Sequence, residues 1–440
     1  MFKSTKASFD GFRDIFGHEA RLREFVAAKI SETFQLWGYD KIELSMIESI
    51  DSFSERVVGG SPWPEWDQKC SFQLDICDYA RSYDNAPIFN RALLVPEGTV
   101  SASRWLANQI DTKQELRINF PLKIYYVVNC FRNEPISNLS ATKTRSFAQV
   151  GMEVIGTSNR YADLETIIMV ADSMEAIGAS KSQIKVRLGD IRIFNHLCEK
   201  CMIPYRGTIV LKEVFDAIAE SRAGNDIKRL DNELAKADKI LSVYAMSPNS
   251  RSQWDFCLAG IRQSINCEEM SFLNCSEAIR DLNFIAGELN KLDIPAVIDL
   301  AVVRSHEYYT GAVFEIDAIV NDRIIVEIAG GGRYNKLIGR LSNKNIEVSA
   351  VGFAFGLERI CCLAENPQNL VNLEIYFWLN KSSADIVLYG QGSANSLINF
   401  AQQLRKDHKR VDIYAGNHVT VQEAASYAAK RGAQLMCVGG

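Results

Sequence analysis

A chain of 440 residues is longer than one ordinary hydrophobic core supports, so two or three domains are expected. Hydrophobic residues at 47% and charged residues at 23% exclude a disordered or fibrous chain. The formal net charge of −5 excludes a global basic field for nucleic acid, so any RNA would have to be held by local patches.

The N-terminal stretch MFKSTKASFDGFRDIFG has no apolar core of a secretion signal, and no run approaches the ~18–20 apolar residues of a membrane span. The eleven cysteines are scattered without a framework of spacings. A cytoplasmic location with reduced thiols is therefore expected. Cys198 and Cys201, in HLCEKC, are suggestive of zinc, but no second CxxC supplies the other ligands and the segment reads as helix; no metal site is expected.

Residues His18 to Trp37 carry Leu22, Phe25, Val26, Ile30, Phe34 and Leu36 at helical spacing, and Gly38 ends that helix. A short strand, Lys41 to Ile47, follows; the pair serves equally as core or as a dimer element. Ser54 to Asn90 reads as irregular, with turn signals in GGSPWPEW. A strand from Arg91 to Val95 then delivers Pro96–Thr99 (PEGT) into a helix starting near Ser101. Glu97 and Thr99 at such a turn can hold a ligand amine. The alternative is that Thr99 or Ser101 is only a helix cap and Glu97 is solvated.

Two strands follow, Lys123 to Arg132 (KIYYVVNCFR) and Ser146 to Ile155, joined by a polar loop. Side chains alternate along a strand, so Arg145, Phe147, Gln149, Gly151 and Glu153 share one face, with Gly151 leaving room. Arg132 and Glu134 share a face at the end of the first strand. A cation, a ring, an amide and a carboxylate side by side suit a flat base, a phosphate and an amino acid. A half-solvated hairpin would show the same alternation.

A helix from Tyr161 to Ile177 and a strand from Ile184 to Leu188 come next. Roughly 190–290 reads as an appended, charged helical subdomain. Strands return in PAVIDLAVVR, in Arg304 to Asp317 and in Arg323 to Leu341. Gly330–Gly332 allows a tight turn and close approach to a ligand, but lacks dinucleotide and P-loop spacings. Val348 to Ile360 (VSAVGFAFGLERI) reads as a small-residue strand opening a helix that carries Arg359. After a joint at 366–382, residues 383–440 alternate strand and helix, which predicts a small parallel α/β unit. Its basic run RKDHKR could face RNA or simply end a helix.

The ordered set PEGT, FRNE…RSFAQVGMEV, R-SHEYYTG-AVFE, GGRYNKL and GFAFGLERI resembles the histidyl-tRNA synthetase family of class II synthetases over nearly the whole chain. The resemblance implies an α+β fold: an antiparallel sheet flanked by helices in residues 1–365, with the helical insertion, and an anticodon-binding-like α/β unit at 383–440. It implies ATP, Mg²⁺, histidine and tRNA as ligands, and a homodimer. Arg132 would hold the ATP α-phosphate, Glu134 would place the adenine, Phe147 would stack on it, and Arg359 would bind the γ-phosphate. Glu97, Thr99 and Gln149 would take the substrate α-amino group, and Glu153 and Tyr309 the imidazole nitrogens. Tyr308 joins that histidine pocket. Arg304 would bridge the substrate carboxylate and the α-phosphate. Arg333 and Tyr334 would close the histidine side, and Arg145 would line the phosphate path.

The chemistry agrees with those roles. Attack of a carboxylate on an α-phosphate brings like charges together, which fixed guanidiniums with Mg²⁺ stabilise, and needs no general base. A carboxylate and a phenol on both imidazole nitrogens would discriminate by roughly 10⁴–10⁵. Arg304 and Tyr309 would face opposite ways on a straight strand, so that strand must begin after Arg304 or carry a bulge.

Four departures from the family pattern stand out. Ser45 replaces a proline near the dimer element, and Val95 replaces an arginine before PEGT. The loop Pro135 to Thr144 is long and has Lys143 as its only cation, which points to an altered RNA contact. The C-terminal unit stops at Gly440, short of the family's last strand and helix. The leading expectation is a histidine–tRNA ligase. The rivals are a paralogue that activates an amino acid for a non-tRNA acceptor and the histidine-sensing regulatory subunit of ATP phosphoribosyltransferase.

Overall fold

The computed structural model describes residues 9–59, 71–78, 88–113, 118–135, 143–244, 246–263, 270, 273–304, 306–320, 323–344, 346–364, 384–390, 394–414 and 420–438. The chain divides into two compact units, Met1–Val371 and Asn372–Gly440. The joint at 366–382 and most of the loop Pro135 to Thr144 lie outside the described residues.

The first unit is built on an eight-stranded sheet. Its strands are β1 (Asp40–Lys41), β5 (Leu122–Phe131), β6 (Ser146–Ile155), β7 (Ile184–Asp190), β8 (Ala296–Ile298), β9 (Ala312–Val320), β10 (Arg323–Arg333) and β11 (Ala350–Gly356). Their spatial order is β1-β5-β6-β11-β10-β9-β7-β8. Only the outermost pairs, β1 with β5 and β7 with β8, run parallel. A second sheet holds β2 (Ile47–Ser49), β3 (Gln73–Asp78) and β4 (Ile88–Leu94), antiparallel in the order β2-β4-β3. The strand expected over Lys41 to Ile47 is thus split between two sheets. Part of the stretch read as irregular is β3, which pairs residue for residue with β4.

Helix α1 (His18–Leu36) buries Leu22, Phe25, Val26, Ile30 and Phe34, and its Phe34 ring meets Phe353 of β11 edge-on at 5.9 Å. Those apolar positions are therefore core within the chain. After α2 (Glu55–Val58), α3 (Gly98–Asp111) starts directly behind Glu97, earlier than expected. Helix α4 (Arg160–Ala176) packs against α1.

Between β7 and β8 come α5 (Ile191–Lys200), α6 (Tyr205–Ala223), α7 (Ile227–Ser242), α8 (Pro248–Gln263) and α9 (Ser276–Lys291). Phe194, Phe215 and Trp254 form an edge-to-face cluster at their centre, with centroids 5.2–6.0 Å apart. Cys198 and Cys201 are buried, and the Trp254 indole N–H donates to Cys201 Sγ at 3.1 Å. This helical group is not merely appended, because one face of α6 forms a wall of the central cavity described below. Helices α10 (Leu337–Leu341) and α11 (Leu357–Ala364) complete the unit.

The second unit holds β12 (Ile386–Tyr389), α12 (Ala394–Lys406), β13 (Val411–Ile413), α13 (Val421–Lys430) and β14 (Gln434–Cys437). Its sheet is parallel in the order β13-β12-β14, around Leu388, Ala401 and Val411. No described helix is long and apolar enough to cross a membrane.

Candidate active site

A cavity of about 650 Å³ opens on the face of the large sheet. Its lining includes Glu97, Thr99, Arg132, Glu134, Phe147, Gln149, Arg304, Tyr308, Tyr309, Tyr334 and Arg359, eleven of the residues singled out in the sequence. Arg145, Glu153 and Arg333 are not among its walls.

The hairpin β5–β6 supplies one side. The expected alternation holds: Phe147 and Gln149 are half-exposed while Ala148, Val150 and Met152 are buried. The Arg132 guanidinium lies over the Phe147 ring at 5.0 Å and its Nε donates to the Pro96 carbonyl at 3.0 Å. Gln149 Oε1 accepts the Gly98 N–H at 2.9 Å, so an amide from a neighbouring strand caps the first turn of α3. The Glu97 side chain makes no cap, and it is buried rather than solvated. Its carboxylate accepts from the Tyr308 hydroxyl at 3.2–3.3 Å. Burial pushes the Glu97 carboxyl up to about 7, against the pull of Arg132, Tyr308 and Arg304.

Gly151 does not leave empty room. Tyr126 stands opposite it in the β5–β6 register, and a Cβ on Gly151 would come within 2.6 Å of the tyrosine ring. The Tyr126 hydroxyl donates to Glu153 Oε1 at 3.1 Å, and the Tyr334 hydroxyl donates to Oε2 at 2.6 Å. Glu153 is thus sealed behind two tyrosines, and burial raises its carboxyl to about 8. Of the two, Tyr334 is a wall of the cavity. Sequence alternation gave the correct side of the strand for Glu153 but not the neighbour standing in front of it.

Arg333 faces away from the cavity. Its Nε and Nη2 bind the Asp163 carboxylate of α4 at 2.7–3.2 Å, and its Nη1 donates to the Thr157 carbonyl at 2.9 Å. Arg145 likewise donates to backbone, to the Glu134 carbonyl at 2.9 Å and that of Asp10 at 3.2 Å. It shapes the turn that carries Glu134 rather than presenting a free cation.

Arg304 precedes β9 by several residues and has a φ of 48°, which removes the parity conflict with Tyr309. Gly330 makes its seat: a Cβ there would lie 2.2 Å from Arg304 Nη1. On β10 the register shifts between Ile325 and Ala329, and within that bulge Glu327 has a φ of 54°. Its carboxylate accepts from Arg304 at 2.6 Å and from Arg359 at 3.3 Å. Glu315 Oε2 pairs with the fully buried Arg187 at 2.8 Å, and its Oε1 lies 3.4 Å from Arg304. The helix turn that carries Arg359 is anchored by Glu358, which accepts from the Ala148 N–H at 3.1 Å and from Arg23 of α1.

Sequence reasoning missed several wall residues. Glu327 lies in VEIAGGG just before the glycines, where a strand carboxylate looks solvated. His306 lies inside RSHEYYTG; burial and the nearby Arg304 and Arg132 hold its imidazole well below the usual histidine range. Glu213, Asp216 and Glu220 follow i, i+3, i+7 spacing on α6, which could have marked one shared face.

An antiparallel sheet carrying arginines from three separate elements into one cavity, with a helical group inserted between two of its strands, defines the catalytic fold of class II aminoacyl-tRNA synthetases. Within that class the chain belongs to the histidyl-tRNA synthetase family, whose model matches residues 94–360. It is 24% identical over 442 residues to the histidine–tRNA ligase of Methanococcus maripaludis, spanning 100% of this chain and 92% of that one. It is 25% identical over 407 residues to the ATP phosphoribosyltransferase regulatory subunit of a Picosynechococcus strain, spanning 92% and 89%. Among solved structures it resembles one described as an ATP phosphoribosyltransferase regulatory subunit/histidyl-tRNA synthetase from Bacillus halodurans, with a TM-score of 0.71, 18% identity and full coverage of both chains. Apo histidyl-tRNA synthetase of S. aureus gives a TM-score of 0.63 at 21% identity, covering 100% of this chain and 92% of that one.

Proposed function

We propose that this chain is a histidine–tRNA ligase, which activates histidine with ATP to histidyl-adenylate and transfers it to the 3′ end of tRNA(His). One observation carries this reading: Arg132, Arg304 and Arg359 line the same cavity as Glu97, Thr99 and Gln149. A polyphosphate needs the former and an amino-acid ammonium the latter. A subunit that only senses histidine has no use for cations spread along a phosphate path.

In this reading the adenine stacks on Phe147 beside Glu134, with Arg132 at the α-phosphate and Arg359 at the γ-phosphate. Arg304 bridges the histidine carboxylate and the α-phosphate, where charge grows as the carboxylate attacks. Glu97 takes the α-ammonium. The imidazole meets Tyr309 and Tyr334, and Glu153 acts through the Tyr334 hydroxyl. Mg²⁺ travels with the nucleotide. It would keep phosphate oxygens and water as most of its ligands, as this ion usually does with nucleotides. Glu315 is a wall carboxylate of the type it would take.

A second reading keeps amino-acid activation and changes the acceptor. Glu213, Asp216 and Glu220 of α6 line the same cavity, and a nucleic-acid end entering beside them would meet carboxylates.

Histidine-dependent pyrophosphate exchange, run beside tRNA charging, tests both. Exchange with charging supports the ligase, exchange alone supports the second acceptor, and neither sinks activation. Within the first outcome, Arg304→Ala lowers kcat for exchange by at least ~10²-fold while the circular dichroism spectrum stays unchanged.

A further inference from the structure

The anion-binding arginines of the cavity are already bridged by a carboxylate of the chain itself. Glu327 Oε1 accepts from Arg304 Nη1 at 2.6 Å and its Oε2 from Arg359 Nη1 at 3.3 Å. The Glu327 carbonyl accepts from the same Arg359 nitrogen at 2.5 Å, and its N–H donates to Asp317 Oδ1 at 2.8 Å. The residue is aimed there by the β10 bulge, where Val326, Glu327 and Ile328 stand opposite Asp317 alone. Both Glu327 and its partner Arg304 hold the left-handed backbone that non-glycine residues avoid. Meanwhile the Arg304 Nε is buried and donates to nothing, so this guanidinium has a hydrogen bond still to give.

We propose that Glu327 is an internal stand-in for the polyphosphate: it neutralises Arg304 and Arg359 and must be displaced from them when the nucleotide binds. This rests on the nucleotide reading of the cavity given above. A carboxylate and a phosphate oxygen compete for the same N–H donors, so the contact sets nucleotide affinity. It is partly open to solvent, with the Glu327 side chain 38% exposed, so it can be exchanged without opening the core. The bulge supplies the movement. A shift of Glu327 towards ordinary strand dihedrals would carry the carboxylate away from both arginines and relieve the left-handed backbone. Glu327 is thus a positioning residue that keeps the two guanidiniums ordered and together until substrate arrives.

The test is calorimetric titration of wild-type protein, Glu327→Gln and Glu327→Asp with ATP and with inorganic pyrophosphate, each with and without Mg²⁺, beside the KM for ATP in pyrophosphate exchange. Removing the competing charge should tighten ATP and pyrophosphate binding about tenfold in Glu327→Gln and lower the KM for ATP, with kcat unchanged or reduced. Glu327→Asp, which keeps the charge, should bind as weakly as wild type. Anion affinity that is unchanged in Glu327→Gln, or a loss of affinity confined to the Mg²⁺ titrations, overturns the proposal; the latter would make Glu327 a metal ligand. Tighter anion binding without histidine-dependent exchange upholds the contact and removes the ligase reading. Exchange with unaltered anion affinity does the reverse.

Discussion

Arg333 and Glu97 show how differently two buried charged side chains of one family pattern are used. Arg333 is 8% exposed and its partner Asp163 5%, and the guanidinium ties the end of β10 to α4. Arg333→Ala leaves a buried carboxylate without its cation, so stability should fall by about 3–5 kcal/mol, read from urea unfolding. A loss below ~1 kcal/mol would mean the pair is not structural. Glu97, held up at about 7 by burial, is partly protonated near neutral pH. Pairing it with an ammonium requires the ionised form, so histidine binding should release a proton below about pH 7 and weaken as the pH falls. Calorimetry in two buffers of different ionisation enthalpy counts that proton, and Glu97→Gln should abolish the release. For the fold the sign is opposite: with a folded pKa raised from 4.5 to about 7, the protonated carboxyl is the better tolerated form. Stability from this group is full below about 4.5 and is lost as pH rises towards 7.

At the scale of elements, the distinctive feature is irregularity placed inside regular strands. The bulge of β10 and the left-handed Arg304 in the segment before β9 bring together a carboxylate and a guanidinium that regular strand geometry would not. Helix α6 does something comparable from the insertion. Leu211, Phe215 and Ile218 hold it in its own core, and the face carrying Glu213, Asp216 and Glu220 is left to the cavity. Helix α1 is spent inside the chain: its apolar stripe packs on the sheet and α4, and its Arg23 anchors the Glu358 beside Arg359.

For the whole molecule, the homodimer expected from the family needs a surface other than that stripe. The small sheet offers one, with Met46, Ile47 and Ile76 exposed by 42–50%. Light scattering at micromolar concentration should give a dimer, and Ile47→Asp should shift it to monomer. A wild-type monomer, or an Ile47→Asp dimer of unchanged affinity, would count against this surface.

Periodicity and motif order made the elements legible: β6 spans the predicted Ser146 to Ile155, and α1 ends within a residue of its prediction. The reason is that these signals are local, since a strand's alternation and a helix's stripe are written in adjacent residues. The sidedness of Phe147 and Gln149 followed from the same parity. What parity could not supply was the identity of the atoms standing opposite. Glu153 lies on the expected side, yet Tyr126 and Tyr334 close it off; Arg333 follows the glycines as expected, yet finds Asp163 170 residues earlier in the chain. Glu327 had no motif at all, and acquired its place between Arg304 and Arg359 only through a bulge whose register is set by β9. Residue type and spacing determined which strands and helices form and which face each side chain takes. Long-range packing decided which charges meet a ligand and which meet each other, because a buried charge takes whichever partner the fold brings within hydrogen-bond distance.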